Sequence, residues 1–249
     1  TDTYNTAVGE AAGNQVTTGI QNTLIGGLAG DAITTGDSNV TVGYASLTSA
    51  TTADNNTAIG RGALNETTTG AGNTGVGKGA LESNTTASNN TAVGLNALTA
   101  NTTGTVNVAV GASALAANTT ASYNTALGQS ALSSNTTAAQ NTGLGYAALT
   151  NATTGANNTA TGSQALANTT TGAGNVAVGR SALQLNTTAS SNTAVGYSAL
   201  GANTTGASNT ALGNSAGSAL TTGDNNVAIG YQTGLRVSDG VGNQLFGSF

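Results

Sequence analysis

Asn175-Val-Ala-Val-Gly-Arg-Ser-Ala-Leu-Gln-Leu-Asn-Thr-Thr-Ala-Ser-Ser191 is one of a run of near-copies laid end to end. Its first feature, Asn with Gly four residues later, returns at Asn5, Asn22, Asn39, Asn56, Asn73, Asn90, Asn107, Asn124, Asn141, Asn158, Asn175, Asn192, Asn209, Asn226 and Asn243, always 17 residues apart. The consensus is Asn-Thr-Ala-Val-Gly-x-x-Ala-Leu-x-x-Asn-Thr-Thr-Gly-x-x, with positions numbered 1 to 17 from that Asn. Fourteen complete units and a partial fifteenth make residues 1–249 a single repeat array without linker or second domain. A strict period of this length marks a stack of supersecondary units.

Position 2 is Thr or Val except at Gln244, and position 4 is Val, Ile or Leu except at Thr161 and Phe246. β-branched residues two apart share one face of a strand, so positions 2 and 4 are expected to point inward together. Position 3, mostly Ala, is then expected to face outward, and its smallness implies that something packs closely against it. Gly holds position 5 throughout, and position 15 is Gly or Ala; both read as corners needing positive φ or close backbone approach. The Asn at position 1 suits a turn and stacking on its equivalent in the next coil. Short strands are expected near positions 2–4, 7–10 and 12–14. No 3.6-residue period supports helix. The fold class is all-β, a parallel β-solenoid (β-roll) with 17-residue coils.

Positions 9 and 12 provide an internal check. Leu holds position 9 from Leu47 to Leu200, whereas Gly13, Gly30, Gly217 and Gly234 hold it in the outer complete units. In those same units position 12 becomes Val16, Ile33, Leu220 and Val237. One large aliphatic group per coil, supplied from either position, implies a shared interior pocket, with Leu115 and Asn118 as a central example. A rise of about 4.8 Å per coil predicts a rod of roughly 67 Å. Its core is thin, so lateral association through the position-3 alanines, such as Ala109 and Ala177, would add buried apolar area.

Composition removes whole classes of chemistry. Charged residues make up 5% of the chain and aromatics 3%, and His, Cys, Met, Trp and Pro are absent. No Cys/His zinc site, disulfide or His-activated nucleophile can be built, and the expectation is a non-enzyme with no catalytic, cofactor or metal residues. A net charge of −5 has the wrong sign for nucleic acid or an anionic membrane surface. No apolar stretch approaches a membrane span of about 18 residues. Thr1 reads as a processed start.

Asn-Val-Ala-Val-Gly at 107–111 and 175–179, with Asn-Asn-Val-Ala-Ile-Gly at 225–230, resembles the head repeats of trimeric autotransporter adhesins (Hep/Hag type). The longer unit, with Ala-Leu and Asn-Thr-Thr-Gly, also looks like repeats of bacterial and phage tail-fibre proteins. The resemblance implies a left-handed roll, a homotrimer and an extracellular or cell-surface location. A coiled-coil stalk, membrane-anchor barrel and autoproteolytic chaperone domain are missing from the residues present. The implied function is an extracellular structural or adhesive fibre that self-associates and meets host or environmental surface glycans. Alternatives are an ice- or glycan-binding solenoid using Thr and Asn ladders, and a phage tail-fibre shaft.

Individual candidates are weighed the same way. Asp37 and Asp54 share position 16 of successive coils, about 5 Å apart if stacked, as in retaining glycosidases. The repeat gives both one environment, so turn residues are favoured over a catalytic pair or a cation site. The sequons at Asn84 and Asn101 read as structural, because stacked coils would crowd glycans. Adjacent Thr at positions 13 and 14 cannot both face outward, which favours a hydrogen-bonded ladder over an ice-binding face. The variant outer units suggest that residues 1 and 249 lie near natural boundaries. Leu245, Phe246 and Phe249 are expected to plug the last coil, or to meet Tyr4 and Val8 of another molecule and build a filament.

Overall fold

β-propensity concentrates where Thr or Val, then Ala, then Val, Ile or Leu follow one another. In the computed structural model, which describes residues 3–247, this three-residue run is a strand in every repeat, from Thr6–Val8 to Gln244–Phe246. The chain divides into two compact units, Thr1–Tyr123 and Asn124–Phe249. Within each, every strand pairs in parallel with the equivalent strand of the next repeat. Thr57 lies opposite Thr74 in the first unit and Val176 opposite Thr193 in the second. Each unit is an all-β parallel solenoid of 17-residue coils, with no helix among the described residues.

Backbone bonds run alternately to the coil after and the coil before. The Thr57 amide donates to the Asn73 carbonyl at 2.8 Å, and the Gly60 amide donates back to Val42 at 2.7 Å. The stacking continues outside the strands: Leu64 donates to Ala80, Glu66 to Glu82 and Thr68 to Thr85. These segments were expected to be strands at positions 7–10 and 12–14, but the first is a stack of turns and the second a stack of bends. The Ala63 amide donates to the Gly60 carbonyl, and Gly62 between them has φ +67, the signature of a type II turn. A second left-handed residue follows at position 9, so no extended run survives there.

The facing of the strand is the reverse of the expectation. Ala177 at position 3 is fully buried, whereas Val178 at position 4 is 38% exposed. The same holds along both units: Ala58, Ala92, Ala126 and Ala194 lie in the core, and Ile59, Val93, Leu127 and Leu212 lie outside it. The reason is the width of the coil. The interior already holds the position-9 leucine, and a Cβ on Gly75 would lie 3.3 Å from Cγ of Leu64. A 17-residue loop has room for that leucine and a methyl group, not for a leucine and two β-branched side chains. Position 3 is small because it faces the core.

Leu at position 9 is the principal core residue, fully buried from Leu47 to Leu200. Its φ lies between 47 and 54 in all ten. Left-handed backbone costs a non-glycine residue about 1–2 kcal/mol, and burying a leucine returns about 1.5–3 kcal/mol, so burial wins. Where Gly takes position 9 the strain disappears; at Gly30 and Gly217 the aliphatic group comes from position 12, whereas at Gly234 it comes from Leu245. A Cβ on Gly217 would lie 3.2 Å from Cδ1 of Leu220 and 3.0 Å from Cδ2 of Leu200. The shared pocket is therefore present. Leu24, at position 3, also reaches it, beside Gly13 and Gly30.

The corner glycines at position 5 meet both expected conditions. Gly94 has φ +136, and a Cβ there would lie 2.7 Å from the carbonyl carbon and oxygen of Gly111. Backbone cannot yield as a side-chain tip can, so each coil crosses the next with no space for a side chain.

Candidate functional site

Buried polar ladders account for most of the asparagines. The Asn175 amide N–H and Nδ2 both donate to Oδ1 of Asn158, at 2.9 and 3.1 Å, and Nδ2 also donates to the Ala189 carbonyl. The Asn192 N–H donates in turn to Oδ1 of Asn175 at 3.0 Å. A second ladder runs through position 12, where Asn118 Nδ2 donates to Asn101 Oδ1 at 2.9 Å and Asn101 Nδ2 to Asn84 Oδ1 at 3.1 Å. Ala152 and Thr169 interrupt the row; in the second unit Asn203 Nδ2 donates to Asn186 Oδ1 at 3.1 Å, and Leu220 then replaces Asn, leaving Oδ1 of Asn203 buried without a partner. Asn84 and Asn101 are fully buried, so these sequon nitrogens are structural and out of reach of a glycosylating enzyme.

The remaining candidates also resolve into hydrogen bonds. Asp54 Oδ1 accepts from the Asp37 amide at 2.7 Å, and Asp37 Oδ1 accepts from Ile20 at 2.8 Å. Each carboxylate caps a backbone N–H of the preceding coil, as the Ser88 and Ser190 hydroxyls do at the same position. The Thr170 hydroxyl, at position 13, donates to the Thr187 carbonyl at 3.2 Å, and Thr187 donates to Thr204 at 3.1 Å. The position-14 threonines, including Thr171 and Thr188, are exposed.

Leu245 and Phe246 do not fold over the last coil. They extend the ladder, with Ala228 opposite Leu245 and Ile229 opposite Phe246. Phe246 takes the outward position 4 and is 66% exposed. Tyr4 and Val8 are exposed as well. Phe249 and Thr1 lie outside the described residues.

What the structure puts outside is the strand face. Positions 2 and 4 carry Thr, Val, Ile or Leu almost without exception and never a charged residue. Beyond the corner glycine, position 6 forms a mixed row of exposed side chains: Tyr44, Arg61, Arg180, Tyr197 and Tyr231 among them. There the Arg180 guanidinium lies 5.9 Å from the Tyr197 ring centroid. The outward strand rank was missed in the sequence, although one signal marks it. Position 4 accepts both Thr161 and Phe246, a range of volume that a narrow core does not tolerate.

No family model matches the chain, and no curated protein or solved structure shows significant similarity to it. The fold defines the class: a repeat β-solenoid protein.

Proposed function

We propose that the chain is a non-enzymatic structural or adhesive fibre protein of the cell surface or extracellular space, whose coils associate laterally with copies of themselves. The observation that carries the reading is the uncharged outward rank of Thr, Val, Ile and Leu at positions 2 and 4. Its ridges repeat at the coil spacing of about 4.8 Å. A second copy offers the same ridges at the same period, so side chains from two such faces can interdigitate, as paired sheets do in a dry zipper. Exposed aliphatic side chains arrayed in this way favour burial against another surface. The homotrimer implied by the adhesin resemblance is one closed form such association can take.

The test substitutes Lys for Val93 and Val178, one in each unit. Wild-type mass in sedimentation or light scattering is expected to exceed that of a single chain. The double variant is expected to become monomeric with its β-rich circular dichroism unchanged. A monomeric wild type, or a variant of unchanged mass, overturns the lateral reading.

An ordered-surface binder, for ice or neutral glycan, has one observation in its favour. Positions 2 and 4 are two outward ranks separated by one residue, the spacing that adjacent Thr at 13 and 14 lack. It predicts that the monomeric Lys variant loses ice-growth inhibition that the wild type possesses.

A further inference from the structure

Only two successive coils carry Gly at position 7, Gly62 and Gly79. In the other complete units Ala, Leu, Ser, Asn or Gln fills that place. The two missing side chains open a notch of about 160 Å³ in the first unit, lined by Arg61, Gly62, Lys78, Gly79 and Glu82. Arg61 and Lys78 hold position 6 of the same two coils, and they are two of the four basic residues of a chain with net charge −5. Among the described residues neither cationic head group engages in a hydrogen bond or ion pair. The Glu82 carboxylate reaches over both glycines. Its oxygens lie 3.7 Å from where a Cβ on Gly62 would sit and 3.1 Å from one on Gly79.

We infer that this notch is a subsite for the carboxylate-bearing end of an acidic saccharide, such as a hexuronic acid. Two like charges on adjacent coils repel each other, and one anion between them removes that repulsion. Arg and Lys, both lining the notch, are donors suited to a carboxylate. Glu82 limits the choice of ligand. A dianion such as phosphate would set its second negative charge against the Glu82 carboxylate, and the carboxylate's oxygens accept but do not donate. The ligand must therefore carry one negative charge and hydroxyl donors close beside it. A uronic acid has a carboxylate and a vicinal diol on one ring, which answers both requirements. The volume is below the roughly 300 Å³ of a pocket that engulfs a small molecule, as suits the tip of one sugar unit. The site uses residues at positions 6, 7 and 10 only, so it stands whether or not the strand faces associate.

The experiment is ligand-observed saturation-transfer NMR on the full chain, with glucuronate as the probe and glucose and sodium sulfate as controls. Glucuronate is expected to receive saturation and glucose to receive none. Sulfate at equal ionic strength is expected not to displace glucuronate. Arg61→Gln with Lys78→Gln should weaken binding about tenfold. Gly62→Asn should also weaken it while preserving the fold, because Asn96 holds the same position two coils on with φ 51. Circular dichroism and sedimentation of each variant are expected to match the wild type. Equal transfer to glucose, or undiminished binding in the double Gln variant, overturns the proposal. Displacement by sulfate shows a bare counterion site and overturns it too. Equal binding of N-acetylaspartate amide assigns the notch to acidic peptide and overturns the saccharide.

Discussion

Ile33 fills the space that a side chain on Gly30 would take: a Cβ built on Gly30 would lie 2.8 Å from Cδ1 of Ile33. Coils with Leu at position 9 fill the same space from the other side. The two solutions should be interchangeable, and the exchange can be made where position 12 is not part of an asparagine ladder. Asn118 is in that ladder, so Leu149 and Ala152, both fully buried, form the better pair. Leu149→Gly should cost about 2–4 kcal/mol, the lost burial outweighing the relieved left-handed strain. Ala152→Ile alone should cost about 1–3 kcal/mol by overpacking. Together they should cost far less than the sum, which urea denaturation in a double-mutant cycle would measure. Simple additivity would remove the shared pocket.

Substitution at adjacent strand positions should separate folding from assembly. Ala177→Glu places a carboxylate in a fully buried site and should abolish the cooperative transition, since an unpaired buried charge costs several kcal/mol or more. Val178→Lys, one residue on, should leave thermal unfolding within about 0.5 kcal/mol of wild type. Equal effects would contradict the observed facing.

Thr41 stands at position 3, fully buried, and its hydroxyl has no hydrogen-bond partner. Thr41→Val keeps the shape and removes the desolvated group. The expected result is stabilisation of about 1–2 kcal/mol in urea, because an unmade buried hydrogen bond costs that much. A destabilised variant would mean that the hydroxyl is satisfied in solution.

Asn175 should be among the least replaceable residues. Asn175→Ala orphans the Asn192 N–H that donates to its Oδ1 and leaves a small void, for a loss of about 2–3 kcal/mol. Asn175→Asp removes the Nδ2 donors and buries a carboxyl whose folded-state pKa burial will raise. The neutral form is then the one the fold tolerates. The Asp variant should be least stable at neutral pH and recover as pH falls through the raised folded value, the recovery being complete below about 4, the unfolded carboxyl value. Chemical denaturation at two pH values checks the sign.

The coil period, the strand at positions 2–4, the corner glycines and the shared pocket were all legible, because each is set by local sterics repeated in every unit. Which face of the strand lies inside was not. Alternation shows that Ala177 and Val178 oppose each other, and ordinary hydrophobic logic puts the larger residue inside. The missing quantity was the interior width, which Leu183 and its equivalents already occupy. The exchange between Gly30 and Ile33 was informative because it compared volumes rather than polarity. The same comparison at position 4, between Thr161 and Phe246, would have placed that position outside. The notch at Arg61 and Lys78 was illegible for a different reason: it is defined by two absent side chains and by where Glu82 comes to rest.

The asparagine ladder of position 1 joins residues a fixed 17 apart, as Asn158 to Asn175 and Asn175 to Asn192 do. Deleting Asn175–Ser191 would bring Asn192 into the place Asn175 held, with identical chemistry above and below. Removing 16 or 18 residues would instead leave one junction out of register, with each position-9 leucine there facing position 8 or 10 and the asparagine ladder broken. Recombination between such near-identical segments therefore yields either a viable molecule of different length or none at all. Reach becomes a trait that a lineage can lengthen or shorten in whole steps without redesigning any contact.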